Sequence, residues 1–570
     1  MQLSPRIRHY LSAFAIIGAV AAFAGVWYWY RVIQAPVCPS PVPMRQMAAK
    51  QVDSQATAPR ADESAVEQQL ERTALKELAL LQPWAAMQAG MQNAVVQVFT
   101  QHAQFNWLQP YKTPDQVASS GSGFFINEEG DLITNAHVVD EAMAISIQIQ
   151  SLGKEMLDVT IVGFCPERDL ALLRLTPKSL QKVRDQLGGV SVLQLGNSDS
   201  IRRADDIMTL GYPLGLSSLK STRGVVSGRE HVMGRQMIQI DAPINPGNSG
   251  GPALDINGLV VGINTGGYTG AQNVNVIIPI NELKLVLKEL YNAPHKLLRK
   301  PTLGAIYHSG SVALTNFLDN PQPGGCYVSD VFKGSLLETA GVKAGDMLYS
   351  INGHRVDMYG EITVPWSEDK ISIGDFASYI PLNSKATIGV YRHGRYKELS
   401  FTFTLGKLPA IRQQFPGYEP FPTEMMGGMV IMQLTRNHIP LLLNIAPELI
   451  RFEEPKNQTE PTLVVTHIIP DSVAQRSRVI APGNRIQEVN GVTVTTIQEL
   501  RDAFAKSVTN GLVRVKLTNG VFAVFSLEQI MGDEPRLSAL YHYPISSVIE
   551  QMYTMKQYHE QQKASGSQAA

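Results

Sequence analysis

Three short motifs in this chain carry a hydroxyl, an imidazole and a carboxylate in settings that suit acyl transfer. Hydrolysing an amide at neutral pH takes a nucleophile, a base for its proton, a group that orients the base, and N–H donors for the oxyanion. Ser249 lies in Gly247-Asn248-Ser249-Gly250-Gly251, where glycines let the backbone bend around a reacting carbonyl and the N–H groups of Gly247 and Ser249, on either side of Asn248, can face an oxyanion. His137 lies in Thr134-Asn135-Ala136-His137-Val138-Val139, at the end of an expected strand. Asp169 directly precedes the apolar run Leu170-Ala171-Leu172-Leu173, where a carboxylate needs a partner such as an imidazole N–H. Singly, each motif is commonplace: a glycine-rich turn holding a serine is usually only a turn. Together, in the order His, Asp, Ser within one stretch of short strands, they match the chain order of a known Ser-His-Asp arrangement.

The elements that must position these groups are short and apolar. Val95-Val96-Gln97-Val98-Phe99, Gly123-Phe124-Phe125-Ile126, the alternating Ile145, Ile147 and Ile149, and the runs at 170–175, 207–210, 237–240 and 259–263 are closely spaced and punctuated by glycine turns. That pattern predicts an antiparallel barrel or sandwich ending near Leu290. A chain of 570 residues exceeds what one core fills, so three or four domains are expected. A net charge of -1 supplies no basic excess for phosphates and argues against nucleic acid. Cys38, Cys165 and Cys326 are too dispersed for a metal site or a disulfide framework, and Cys38 lacks the surroundings of a lipidated cysteine. No metal or organic cofactor is implied.

Residues 11–30 are almost wholly apolar, follow Arg6 and Arg8, and end in Trp27-Tyr28-Trp29-Tyr30-Arg31, a length and an aromatic flank suited to crossing a bilayer. A signal anchor is the favoured reading. The other is a signal peptide cleaved after Ala22-Phe23-Ala24; either way the catalytic part is exported. A Pro-, Gln-, Ala- and Ser-rich spacer follows to about Pro59, and Val66, Leu70, Ala74, Leu78 and Leu81 then form one apolar stripe of an expected helix.

Behind the strand-rich region one pattern occurs twice. Gly325 to Val331, Ser335 to Ala340, Gly341 to Asp346 and Leu348-Tyr349-Ser350-Ile351-Asn352-Gly353 are echoed by Leu463 to Ile469, Ser472 to Gln475, Pro482-Gly483-Asn484 and Ile486-Gln487-Glu488-Val489-Asn490-Gly491. Each copy reads as strand, short helix, glycine turn and a strand closed by Asn-Gly.

The three motifs and the repeats resemble the HtrA/Deg family of trypsin-like serine proteases with PDZ domains. The resemblance covers roughly Ala94 to the end of the second repeat. It implies that His137 is the general base, Asp169 its orienter and Ser249 the nucleophile, with an oxyanion hole from Gly247 and Ser249 around Asn248. It implies that Ile244 lines the specificity pocket, favouring small or medium aliphatic side chains, and that Leu303, Gly304 and Ala305 form the first PDZ domain's carboxylate loop. Gly427-Gly428-Met429-Val430 stands in the corresponding place of the second repeat. Asn275-Val276-Ile277-Ile278-Pro279 replaces the family's usual Gly-Phe-Ala-Ile-Pro strand, and the insertion between Val356 and Thr387, with the region from Met425 to Glu448, is more similar to the plant-type branch.

The expected architecture is mainly β. A membrane helix (1–34), a linker (35–63) and a helical segment (64–92) precede a two-barrel chymotrypsin-like protease (93–292), α+β PDZ-like domains at 300–410 and 420–535, and a C-terminal helix and tail (536–570). The expected activity is ATP-independent cleavage of unfolded or damaged exported polypeptides, with peptide C-termini bound at the first PDZ domain. Self-association as a trimer or larger and an inner-membrane anchor facing the periplasm complete the expectation; a chaperone or peptide sensor with a latent protease site is the alternative.

Overall fold

The structure is a computed structural model, and it describes residues 83–232, 234–267, 273–506 and 511–554. The apolar run at 11–30 and the stripe at 66–81 lie outside the described residues. Among the described residues, no helix is long and apolar enough to cross a membrane.

The first six strands are β1 (Val95–Gln104), β2 (Asp115–Phe125), β3 (Asp131–Thr134), β4 (Ala142–Ile149), β5 (Leu157–Cys165) and β6 (Leu170–Leu175). They close into an antiparallel barrel in the order β1-β2-β3-β6-β5-β4. The next six are β7 (Asp206–Gly211), β8 (Lys220–Val232), β9 (Arg235–Ile240), β10 (Pro252–Leu254), β11 (Val260–Gly267) and β12 (Asn275–Pro279). They close a second barrel in the order β10-β11-β12-β9-β8-β7. Closure removes every sheet edge, so each barrel buries its inward-facing residues without exposing unpaired backbone. Between the barrels, Phe124, Ile133 and Leu172 of the first share one apolar cluster with Leu210, Leu254 and Ile263 of the second.

A five-strand path follows, built of β13 (Ala305–His308), β14 (Cys326–Val331), β15 (Met347–Ile351), β19 (Lys385–Arg392) and β20 (Arg395–Thr402) in that order. The short β16 (His354–Arg355) pairs with β15, and β17 (Glu361–Ile362) pairs with β18 (Ile371–Ser372) in the insertion. The last sheet holds β21 (Thr423–Met426), β22 (Met429–Gln433), β23 (Leu463–Ile468), β24 (Arg485–Val489), β25 (Val492–Thr493), β26 (Leu512–Leu517) and β27 (Phe522–Ser526), ordered β21-β22-β23-β24-β26-β27 with β25 beside β24.

The two repeats share details finer than their sequences. Gly304 O accepts from Phe332 N–H at 2.9 Å, and Gly428 O from Ile469 N–H at 2.8 Å. At Gly304 (φ +77) a Cβ would sit 2.3 Å from Ser335 Cβ, and at Gly428 (φ +85) 2.0 Å from Ser472 Cβ. Those two serines both cap the helix that follows. The repeats differ at the edge: β13 ends its sheet with one side unpaired, whereas the matching strand β22 is already covered by β21. Arg501 holds β21 in place, donating to Glu424 Oε2 at 2.6 Å and to Thr423 O at 3.0 Å.

The second repeat is also joined to the first barrel. The loop after β1 lays Leu108 against Ile411, Leu434 and Leu442, and its Leu108 O accepts the Thr466 hydroxyl at 2.9 Å. Trp107 packs on Phe421 with ring centroids 5.1 Å apart. The helix Leu527–Tyr541 crosses the expected boundary at residue 536, because Leu527, Ile530 and Met531 belong to the core of the β21–β27 sheet, and a further helical stretch at 547–554 adds Val548, Ile549 and Met552 to the same core.

One group in that helix gives the fold a pH dependence. Glu534 is 0% exposed; its Oε1 accepts the Tyr543 hydroxyl at 2.9 Å and its Oε2 has no partner. Burial, aided by the nearby Glu424 and Asp533 charges, raises its carboxyl from 4.5 to about 7. An unfolded carboxyl releases its proton near 4.5 while the folded one keeps it to about 7, so stability falls as pH rises through that window and is level above it. Glu534→Gln is expected to add on the order of 1–3 kcal/mol at pH 8 and little at pH 5. Thermal unfolding at both values checks this, and an equal effect at both would contradict it.

Candidate active site

The cleft between the barrels takes its residues from strand ends. His137 follows β3 in the single turn Ala136–Val139, and Asp169 closes the turn Pro166–Arg168 just before β6. Ser249 precedes β10, and Thr265 lies on β11. Asp169 holds left-handed backbone (φ 56, ψ 43), a conformation that costs a non-glycine residue of order 1–3 kcal/mol and persists only where its surroundings enforce it. Here the surroundings do: Asp169 N–H donates to Pro166 O at 3.1 Å, and Asn135 Nδ2 donates to Asp169 O at 3.0 Å.

The Asp169 carboxylate is 6% exposed and saturated with donors. Oδ1 takes the His137 backbone N–H at 3.0 Å and faces His137 Nδ1 at 2.9 Å; Oδ2 takes the Thr265 hydroxyl at 2.7 Å. Burial alone would raise its pKa, but the bond and charge of His137, then the Thr265 hydroxyl, outweigh burial and hold it below 3.8. For His137 burial pushes down, and the hydrogen bond and charge of Asp169 more than reverse it, so the imidazole lies above 6.5. With Nδ1–H committed to Asp169, Nε2 carries the lone pair, and the ring, its side chain 49% exposed, is open to a substrate.

Ser249 is held from both barrels. Its carbonyl accepts Ser122 N–H at 2.8 Å, and the Ser122 hydroxyl donates to Gly247 O at 2.7 Å while accepting Tyr212 N–H at 2.9 Å. Gly250 N–H donates to Asn264 O at 2.8 Å. Gly247 needs its glycine: at φ +98 a Cβ would lie 2.4 Å from Tyr212 O. Asn248 N–H is spent on Asn245 O at 2.9 Å, so Asn248 shapes the turn but offers no backbone donor. The N–H groups of Gly247 and Ser249 have no acceptor among the described residues, which leaves them available to an oxyanion. The Ser249 hydroxyl donates to Thr265 O at 3.0 Å, so the bond to His137 is not made in this conformation. Thr265 therefore touches both halves of the site, through its hydroxyl to Asp169 and its carbonyl to Ser249.

Ile244 packs against the second barrel's interior cluster of Val226, Ile238 and Ala242. Leu303 is buried in the core of the β13–β20 domain, with Gly304 and Ala305 leading into the free edge of β13. Sequence reasoning missed Ser122, Asn135 and Thr265. Asn264-Thr265 did carry a signal, two polar residues ending an apolar run where a strand leaves the core.

A general base at His137 would titrate with a defined sign. Only neutral imidazole accepts the serine proton, so kcat/KM is expected to rise with pH through a midpoint above 6.5. Hydrolysis of an unfolded substrate between pH 5 and 9 checks this; a flat profile contradicts it.

The model for a trypsin-like peptidase domain matches residues 121–263, and that for a PDZ domain matches 450–518. The probable periplasmic serine endoprotease DegP-like of Hahella chejuensis is 27% identical over 409 residues, covering 70% of this chain and 78% of the relative. That of Chlamydia pneumoniae is 28% identical over 434 residues, covering 74% and 78%. The solved structure of the HtrA-type protease AlgW with decapeptide is 24% identical, with a TM-score of 0.43, covering 57% of this chain and 98% of the other. Two barrels closing on this cleft, together with the curated relatives, define the chain as a trypsin-like serine endopeptidase with PDZ domains. Its activity is that of an HtrA-type serine endopeptidase, similar to these DegP-like endoproteases.

Proposed function

We propose that Ser249, His137 and Asp169 perform the hydrolysis, and that the saturated Asp169 carboxylate, which fixes His137 with Nε2 free, is the observation that carries this reading. The Ser249 hydroxyl leaves Thr265 O and gives its proton to His137 Nε2 as Oγ attacks the scissile carbonyl. Asp169 stabilises the imidazolium, and the N–H groups of Gly247 and Ser249 take the oxyanion. His137 then protonates the leaving amine, and water repeats the sequence on the acyl-enzyme. Ile244 borders the pocket for a small or medium aliphatic side chain.

The substrates are unfolded or damaged polypeptides in the periplasm, the compartment that the relatives' names give for those proteins. The domains are a protease at 93–292 and PDZ domains at 300–410 and from 420, the second carried past residue 535 by the helical stretches that complete its core. Peptide C-termini add to the free edge of β13 beside Leu303-Gly304-Ala305, the mode in which such domains extend a sheet. The second PDZ domain, its edge filled by β21, serves assembly and rigidity. Residues 11–30 anchor the chain in the inner membrane, and the enzyme works as a trimer or larger. A resting form is favoured by one observation, the Ser249 hydroxyl turned to Thr265 O.

Incubating the enzyme with unfolded casein and with a compactly folded protein tests the substrate class. Cleavage of the first and sparing of the second is expected. Suppressed aggregation without any cleavage would favour a chaperone instead.

A further inference from the structure

The two residues before Asp169 are held by parts of the chain outside the barrels. Arg168 is 3% exposed, yet its guanidinium leaves the first barrel: Nη2 donates to Ser378 O at 3.1 Å, and Nη1 pairs with Glu282. Ser378 ends the helix Ile373–Ser378 of the first PDZ domain. Glu167 accepts from Arg299 Nη1 at 2.7 Å, and Arg299 reaches on to Gln413 O at 3.0 Å and to Glu419 in the segment joining the PDZ domains.

The same helix is docked at two further points: Asp375 accepts from His231 Nδ1 at 2.8 Å, and the Tyr379 hydroxyl just beyond it donates to Gln236 Oε1 at 3.1 Å. Its Ile373, Phe376 and Ala377 share one core with Leu303, at the start of the proposed carboxylate loop. A shift of this helix therefore reaches Asp169 through one buried side chain.

We propose that Arg168 is a positioning residue for Asp169, tying the aim of that carboxylate to the seating of the helix Ile373–Ser378. The first PDZ domain then sets the acid–base half of the site through the turn Pro166–Arg168, separately from the loop that carries Ser249. A left-handed aspartate held by its neighbours is the kind of group such a tie can misalign, and misplacement of about 1 Å suffices to cost on the order of a hundredfold in rate. This rests on the assignment of His137 and Asp169 as the base and its orienter.

The test uses the full chain and unfolded casein, reading kcat, KM and the acid limb of kcat/KM. In Arg168→Met/Glu282→Gln, which leaves no buried carboxylate unpaired, kcat is expected to fall about ten- to a hundredfold with KM within about twofold. The acid limb moves to lower pH, because a His137 released from Asp169 titrates nearer the ordinary imidazole value. The charges beside these groups, Glu167, Arg235, Lys300 and Asp375 at the seam and Asp140 by His137, are retained. Arg168→Lys, which keeps the charge, recovers part of both changes. His231→Leu, at a half-exposed side chain, loosens the helix without touching Arg168 and moves the limb the same way by a smaller step, so the proposal stays testable if the double variant fails to fold. Loss of kcat with an unmoved acid limb, or no loss at all, overturns it. Ser249→Ala run in parallel separates the two ideas: persistent cleavage there sinks the catalytic assignment, whereas its loss beside an unaffected Arg168 variant sinks only this inference.

Discussion

Ser249→Ala is expected to lower kcat by about a millionfold while leaving KM and the fold almost unchanged. The hydroxyl reaches Thr265 O and, on leaving it, presents a proton to an imidazole whose other nitrogen is taken by Asp169. With the oxygen gone, no acyl-enzyme forms, and what survives is whatever the Gly247 and Ser249 amides and substrate binding give to attack by water. The stability change is small, because the side chain gives up one hydrogen bond worth about 1 kcal/mol. The bonds that shape the loop, Ser122 N–H to Ser249 O and the Ser122 hydroxyl to Gly247 O, do not involve the hydroxyl of Ser249. Casein hydrolysis followed to a detection limit near the uncatalysed rate, with circular dichroism as the check on folding, measures this. Residual activity within about tenfold of wild type would transfer the nucleophile's role elsewhere.

Asp169→Asn is expected to cost about ten-thousandfold in kcat, with the cleft's geometry intact. The carboxylate now accepts from three donors: the His137 N–H, the imidazole Nδ1–H, which lies 2.9 Å from Oδ1 and 3.1 Å from Oδ2, and the Thr265 hydroxyl. An amide has one accepting oxygen and one donating nitrogen, so it cannot serve the backbone N–H, the ring and Thr265 at once. When the amide nitrogen faces Nδ1, the ring must put its proton on Nε2, and a protonated Nε2 cannot act as base. The imidazole also loses the charge that holds it above 6.5, so whatever activity remains has its acid limb at lower pH. Loss of activity with an unchanged acid limb would mean that Asp169 supports the fold rather than the ring.

How much of this could be seen in the sequence varies by residue. His137, Asp169 and Ser249 were legible because each sits in a local motif whose neighbours, an apolar strand or a glycine turn, constrain what it can be. The strands holding them were legible for the same reason: the run at 170–175 is β6, and Ile145, Ile147 and Ile149 face inward along β4. Ser122 and Asn135 were not, since a buried polar residue that satisfies another polar group leaves no periodic trace, and Thr265 was marked only as one of two polar residues ending an apolar run. Arg168 stands beside Asp169, yet its partner Ser378 is 210 residues away, a separation no spacing rule covers. The glycine pair Gly427-Gly428 stands in the sequence where the first repeat has Leu303-Gly304, and the backbone of Gly428 does match that of Gly304. What the sequence concealed is that β21, immediately before it, folds back onto the edge that a ligand would need, because strand pairing depends on which edge is free after the whole sheet forms.

The most direct measurement of the central claim is covalent: treat the active enzyme with a fluorophosphonate, digest it, and locate the adduct by peptide mass. A single adduct on Ser249 is expected, forming quickly in the wild type, far more slowly in His137→Ala, and faster as pH rises through the midpoint of His137. An adduct on another residue, or labelling of Ser249 at the same rate without His137, would contradict the assignment of these residues as nucleophile and base.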